Sequence, residues 1–95
     1  MSQPLHTAKT ASEELTAAVQ WYEQQRNGLG GEFFDAIGKT IDRIAELPDA
    51  GSRFGKTDAR RMLVAGFPYQ IVYRVHSDEI RIVAFAHLKR SADKN

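Results

Sequence analysis

The chain has 95 residues, 42% of them hydrophobic and 26% charged, with a formal net charge of +1 and no cysteine. That is enough chain for one core and too little for two, so residues 1–95 are expected to form a single domain. Disulfides and thiolate metal sites are excluded, and no apolar run reaches the roughly 18 residues of a membrane helix.

Met1-Ser2-Gln3-Pro4 has neither a basic region nor an apolar h-region, so no secretory leader is expected. The lack of cysteine fits a reducing compartment. His6, His76 and His87 lie far apart without metal-ligand spacing, and no metal or cofactor is expected.

Leu5–Lys9 reads as a short edge strand with weak alternation. Thr10-Ala11-Ser12-Glu13 has the spacing of a capping box, with the Thr10 hydroxyl accepting from the Glu13 amide and the Glu13 carboxylate returning to Thr10. Ala11, Leu15, Ala18, Val19 and Tyr22 then recur at helical spacing, which predicts a helix from Ala11 to Arg26. Trp21 and Tyr22 are adjacent, so their rings leave different sides of that helix; Tyr22 falls on the core stripe. Glu13 and Glu14, about 100° apart, cannot form an acid/base pair and read as first-turn carboxylates opposing the helix dipole.

Asn27-Gly28 is the predicted stop, and a second helix follows at once. Leu29, Phe33, Ile37, Ile41 and Ile44 form its apolar stripe, with Phe34 and Leu47 widening it. Glu32, Asp35, Lys39, Asp42, Arg43 and Glu46 take the solvated face, and Leu47-Pro48 ends the helix. The short Arg26–Gly31 connection makes the two helices an antiparallel hairpin.

Gly51–Ala59 reads as a polar connection, after which the period becomes two. Arg60, Met62 and Val64 point one way, and Arg61, Leu63 and Ala65 the other. Gly66-Phe67-Pro68 forms a turn or bulge, and Tyr69–Val75 is a strand with Tyr69, Ile71, Tyr73 and Val75 on one face. Ser77-Asp78 is a short hairpin signal before the last strand, Glu79–His87. Strict alternation there puts Ile80, Ile82, Ala84 and Ala86 on one face and Arg81, Val83, Phe85 and His87 on the other. Ser91–Asn95 is expected to be a loose tail. The predicted architecture is α+β, in the order β-α-α-β-β-β: a short N-terminal strand, then a helix hairpin packed on an antiparallel meander.

The charges are polarised along the chain. Residues 1–50 hold four Lys/Arg against eight Asp/Glu, and residues 51–95 hold nine against four. Two readings of the basic half stand side by side: an acidic partner, either nucleic acid or an acidic protein segment, or merely Glu-rich helices and Arg-capped strand ends.

Gly28, Gly30 and Gly31 lack the strand–turn–helix context and the third spaced glycine of a phosphate cradle, and read as a tight helix–helix turn with a flexible second half. No cysteine and no Gly-x-Ser-x-Gly elbow supports a nucleophile. His87, followed by Leu88-Lys89-Arg90, could share a surface with Lys89, Arg81, Arg61 and Arg74. A ribonuclease needs a group to take the 2′-OH proton and cations to steady a phosphorane. Equally, His87 reads as a satisfied strand-end histidine and the arginines as a partner-binding rim. Tyr69 and Tyr73 could stack on bases, but their spacing with Ile71 and Val75 is that of core residues.

Several ordered blocks resemble ParE-like toxins of the RelE/ParE superfamily, the toxins of type II toxin–antitoxin modules also described as plasmid-stabilisation proteins. They are Ala17–Arg26 with Gly28-Leu29-Gly30 and Glu32-Phe33, then Arg60–Val64, then Phe67–Val75, and His87-Leu88-Lys89-Arg90. The resemblance runs from about Leu5 to Arg90 and implies a small cytoplasmic toxin neutralised by a cognate antitoxin.

Two branches of that superfamily differ in target. The ribonuclease branch cuts messenger RNA on the ribosome, and the ParE branch is associated with poisoning DNA gyrase and needs no hydrolytic site. Relatives resembling RelE carry arginine where this chain has Gln70 and lysines along the stretch that is here Arg61-Met62-Leu63; their C-terminal tyrosine has no counterpart, since nothing aromatic follows Phe85. His87 with Arg90 fits the ParE-like His-x-x-Arg ending. The resemblance therefore implies gyrase inhibition, growth arrest and no catalytic residues. The alternatives are an RNA endonuclease, ribosome-dependent or free, built on His87, Arg61 and Arg90, and a non-toxic RNA- or protein-binding module.

For the antitoxin, two helices and a few strands cannot cover all of Trp21, Leu29, Phe33 and Phe34. An apolar groove is expected there, filled by an amphipathic antitoxin segment whose acidic side chains meet Arg60, Arg61, Arg74 or Arg81. Lys89 and Arg90 extend the same candidate partner-binding or target-binding set.

Overall fold

A computed structural model describes residues 4–89. Strand β1 (Leu5–Thr7) runs into helix α1 (Lys9–Gln25) with only Ala8 between them. Ala8 is still extended, and its amide donates to the Ile82 carbonyl, so it both prolongs the strand ladder and caps the helix. The capping box is therefore absent. Thr10 lies inside the first turn rather than before it, and no side chain caps the helix. Glu13 and Glu14 are likewise beyond the first turn, which holds no acidic residue.

Helix α2 (Leu29–Glu46) packs antiparallel to α1, and its N-terminus is closed by a side chain from the other helix. The Glu23 carboxylate accepts from the amides of Gly28 and Gly30, at 3.0–3.2 Å. That satisfies two donors at a helix end where the dipole favours negative charge. Gly28 turns the chain at φ +91°, and a Cβ on Gly30 would stand 2.7 Å from the Val19 carbonyl oxygen. The glycine run is thus a close helix–helix crossing. Gly30 and Gly31 belong to the first turn of α2, not to a flexible linker.

Along α2, Phe33, Ile37 and Ile44 are buried, with Leu29 and Ile41 partly covered. Phe34 and Leu47 do not widen that stripe; both are more than half exposed. Phe34 lies a further 100° round the helix from Phe33, past the arc the sheet covers, and Leu47 follows the last helical residue.

The sheet has five strands in the order β1-β5-β4-β3-β2. Strands β3 (Arg60–Leu63), β4 (Tyr69–His76) and β5 (Glu79–His87) form the expected antiparallel meander, and β1 lies parallel to β5 at one edge. The connection after α2 is more ordered than its polarity suggested. It contains a 3-10 turn (Pro48–Ala50) and strand β2 (Ser52–Arg53), which pairs with β3. Two long side chains hold that segment down. The buried Tyr73 hydroxyl donates to the Pro48 carbonyl at 2.7 Å and accepts from the Gly51 amide at 3.1 Å, while Arg60 Nη1 donates to the carbonyls of Asp49 and Gly51.

The core lies between the helices and one face of the sheet. Ala11, Ala18 and Tyr22 from α1 and the α2 stripe meet Met62, Ile71, Tyr73, Ile80, Ile82 and Phe85. One irregularity decides what else reaches that face. Val72 pairs with Ala84 but Tyr73 pairs with Ile82, so Val83 is an unpaired extra residue, a β-bulge. Alternation therefore resets within β5. Ile80, Ile82 and Phe85 all point to the helices, and His87, opposite Tyr69, follows them. The even–odd division predicted for Glu79–His87 fails beyond Val83 for this reason.

Strand β1 ends at Thr7, opposite Ile82, so the Phe85 amide lies past its end. The Glu14 carboxylate takes that amide at 3.0 Å, which closes the open end of β5 with a helix side chain. The expectations for Met1–Gln3, Arg90 and the tail lie outside the described residues.

Candidate functional site

Two surfaces carry the residues singled out from sequence, and the bulge separates them. Cross-strand partners on a sheet share a face, so Arg61, Leu63, Gln70, Val72, Arg74, Arg81, Ala84 and Ala86 lie on the outer face, away from the helices. Arg74 pairs directly with Arg81, and Asp58 approaches Arg74 at 3.7 Å. Arg81 makes no ion pair among the described residues. Two neighbouring guanidiniums against one exposed carboxylate leave this face basic.

Arg61 is engaged rather than free. Its Nη1 donates to Gln70 Oε1 at 3.3 Å and its Nε to Ser52 Oγ at 3.4 Å. Gln70 is itself buried, though it belongs to the outer face. The hairpin register makes Gln70 a diagonal neighbour of Arg61, so their contact could have been found from sequence once β3 and β4 were paired; it was not anticipated.

His87 sits on the inner face. Its ring meets Tyr69 edge-on at 5.2 Å between centroids, at the end of an aromatic chain that runs through Phe33, Phe67 and Tyr22. Nδ1 accepts from the Lys89 amide at 3.1 Å, which leaves Nε2 to carry the proton of the neutral ring. The imidazole and the arginine trio are therefore not on one surface, contrary to the expectation from strict alternation. Lys89 is exposed beside His87, and Arg90 lies outside the described residues.

Tyr69 and Tyr73 are buried, so neither ring is available to stack on a base. Burial raises the phenol pKa of Tyr73; the Gly51 hydrogen bond and the Arg60 charge oppose it in part, and Asp49 adds to it. Tyr22 is raised as well, by burial and by the Tyr69 phenol. Both hydroxyls stay protonated across the physiological range. Arg60 is half-buried and directed at backbone carbonyls, so it organises the Pro48–Arg53 segment rather than forming an open rim.

The aromatic residues divide unevenly. Trp21 and Phe34 are 56% and 55% exposed, while Phe33 is fully buried and cannot contact a partner without unfolding. Trp21 rests edge-on against Tyr22 at 5.1 Å, which ties an exposed ring to the core. Exposed tryptophan, with an apolar body and a polar N–H, is a residue type enriched at interfaces. Among the described residues there is no cluster of His, Asp and Glu suited to a metal ion, and no helix is long and apolar enough to cross a membrane.

A five-stranded mixed sheet under one helix hairpin is a RelE/ParE-like fold. A chain of the chromosomal ParDE system from P. aeruginosa superposes with a TM-score of 0.69 at 16% identity, over 92% of this chain and 97% of that one. A chain of the intact RelBE toxin–antitoxin complex of E. coli gives 0.67 at 17%, over 90% and 95%. The isolated E. coli RelE toxin gives 0.65 at 17%, over 98% and 97%. Identities this low establish the fold, and no curated protein sequence matches significantly. The family follows from the sequence itself: residues 5–92 match the model of the ParE toxin of the type II toxin–antitoxin system parDE, and the chain belongs to that family.

Proposed function

We propose that this protein is the toxin of a type II pair, acts in the cytoplasm by binding DNA gyrase rather than by cutting RNA, and is neutralised by a cognate antitoxin. The observation that carries the choice of target is the β-bulge at Val83, which puts His87 on the inner face and Arg61, Arg74 and Arg81 on the outer one. Acid–base cleavage of a ribose phosphodiester needs a proton acceptor and charge-stabilising cations converging within hydrogen-bond reach of one phosphate. Arg61, Arg74 and Arg81 lie across the sheet from His87, among the described residues only Lys89 stands beside the ring, and Arg61 is already bound to Gln70 and Ser52. A basic outer face and exposed aromatics are instead what protein recognition uses: charge for encounter, aromatic burial for affinity.

Induction of the protein without its antitoxin is expected to arrest growth, with intact transcripts and accumulating DNA damage. Purified protein is expected to inhibit gyrase supercoiling. The rival with support of its own is messenger RNA cleavage, since three arginines on one sheet face suit a phosphate backbone. Primer extension on ribosome-engaged transcripts separates the two. New discrete cleavages that vanish in Arg61→Ala would overturn the gyrase reading, and normal growth at a verified expression level would overturn the toxin reading.

A further inference from the structure

The turn between the two helices carries a chemistry that neither surface described above uses. Asn27-Gly28 is the one Asn-Gly pair of the sequence, and no Asp-Gly pair occurs. An asparagine side chain is thermolabile, and a glycine after it offers an amide nitrogen that no Cβ shields. That nitrogen can attack the Asn27 side chain. The bond from Gly28 N to Asn27 Cγ forms, the Cγ–Nδ2 bond breaks, and ammonia leaves with the amide proton. Water then opens the cyclic imide at either carbonyl, returning a proton to the nitrogen and leaving a carboxyl group. Opening at the main-chain carbonyl gives isoaspartate, in which the backbone runs through the former side chain.

The folded chain holds this reaction off twice. The Arg26 carbonyl accepts from the Leu29 amide at 3.0 Å, so Asn27 and Gly28 are the central pair of a β-turn. Gly28 has φ +91° and ψ -14°, and among the described residues Ser77 is the only non-glycine with positive φ, which makes the turn type II. The first central residue of that type is extended, at ψ of about +120°, so the next nitrogen points away from its side chain. Closing the imide requires a large rotation of that bond. In addition, both Glu23 oxygens accept from the Gly28 amide, at 3.0 and 3.2 Å, and Oε1 also takes the Gly30 amide at 3.0 Å. The Gly28 nitrogen cannot swing to Cγ without leaving that carboxylate.

We infer that Asn27 is a site of intramolecular conversion to isoaspartate, and that Glu23 is the latch that holds it off while the helix hairpin is closed. Asn27 is exposed, so water reaches the imide once the latch opens. The product does not fit the turn it came from. Isoaspartate adds a backbone carbon between Arg26 and Gly28, which breaks the spacing of the Arg26–Leu29 hydrogen bond and displaces Gly30. Gly30 has no slack, since even a Cβ there would stand 2.7 Å from the Val19 carbonyl oxygen. The hairpin does not close again as before, and an opening long enough for the chemistry is recorded permanently in the chain. The trigger is local opening of the turn, independent of the target the toxin binds.

The test follows the full chain at neutral pH by mass spectrometry of the peptide that holds Asn27. The folded wild type is expected to convert at least roughly thirtyfold more slowly than the same chain in urea. Glu23→Ala removes both charged hydrogen bonds from Gly28 and is expected to speed conversion about tenfold, with Glu23→Gln in between. Tyr73→Phe weakens the fold at the Pro48–Gly51 end of α2 without touching the turn, and is expected to stay within about twofold of the wild type. Circular dichroism establishes that each variant is folded before incubation, and Glu23→Gln carries the comparison if the alanine variant does not fold. The isoaspartyl product, isolated by chromatography, is expected to unfold at lower urea than Asn27→Asp, which carries the same charge on an unaltered backbone.

Equal rates in the folded and unfolded wild type would remove the protection and overturn the inference. Wild-type speed in a folded Glu23→Ala would do the same, and slower conversion there would make the carboxylate a base instead of a latch. Equal acceleration in Glu23→Ala and Tyr73→Phe would assign the reaction to global unfolding, which also removes the latch. Equal unfolding midpoints for the isoaspartyl chain and Asn27→Asp would mean that the turn accommodates the extra carbon, and the permanent record in the fold would be lost.

Discussion

Tyr73 closes two backbone hydrogen bonds with one hydroxyl, and it does so across 25 and 22 positions of sequence. It is the side chain through which the sheet centre holds the turn after α2. Tyr73→Phe keeps the ring in the core but leaves the buried Gly51 amide and the Pro48 carbonyl without that partner. The expected loss is about 1–3 kcal/mol, read from urea unfolding, with faster amide exchange confined to Pro48–Arg53. A loss below about 0.5 kcal/mol would mean that water replaces the hydroxyl at no cost. The same residue sets an alkaline limit. Its phenol is raised in the folded chain, so the unfolded chain releases its proton first, near the ordinary value of roughly 10. The unfolded state then binds fewer protons, and stability falls as pH rises from there through the folded value. Tyr22 contributes in the same direction. Tyr73→Phe should therefore show a shallower decline of stability above roughly pH 10 than the wild type.

At the scale of elements, the β5 bulge does most to shape the surface. One extra residue lets Ile80, Ile82 and Phe85 all reach the core and turns His87 inward with them. Deleting Val83 restores strict alternation, and then either the two isoleucines or Phe85 with His87 must face water. Exposing two isoleucines alone costs about 3–6 kcal/mol, a large part of the stability of a domain this size. The deletion is expected to abolish cooperative thermal unfolding. If it yields a folded chain with a normal transition, the bulge is a passive accommodation and the separation of His87 from the arginines is less rigid than argued. Glu14 acts just after it, accepting from the Phe85 amide past the end of β1.

Across the whole molecule, the charge asymmetry of the chain becomes an asymmetry between layers. The acidic half supplies both helices, and the basic half supplies β2 to β5, so negative charge gathers on the helical layer while Arg61, Arg74 and Arg81 mark the far face of the sheet. The division predicts different kinetics at the two surfaces. Trp21→Ala removes an exposed ring and should leave the fold intact, yet weaken a partner that buries it by about 2 kcal/mol, seen as faster dissociation. Arg81→Ala should instead slow association with an acidic partner and flatten its salt dependence. Binding measured by surface plasmon resonance at two salt concentrations checks both. Full affinity in a folded Trp21→Ala would remove the ring from the interface, and salt-independent association would remove the role of the basic face.

Both helices and the three-strand meander follow from residue spacing, because amphipathic periodicity is a local property written every few residues. Phe33, Ile37 and Ile44 declare the inner face of α2, and Tyr69, Ile71 and Tyr73 that of β4, with no knowledge of what covers them. The family resemblance is likewise carried by blocks within single elements. What needed the tertiary structure were choices made between distant segments. Thr10 lost its cap because β1 pairs with β5 and keeps Ala8 extended, and Glu14 found its partner 71 positions away. Most consequential was the face of His87. A strand read alone alternates without interruption, and only the pairing of β5 with β4 inserts Val83 and reverses everything after it.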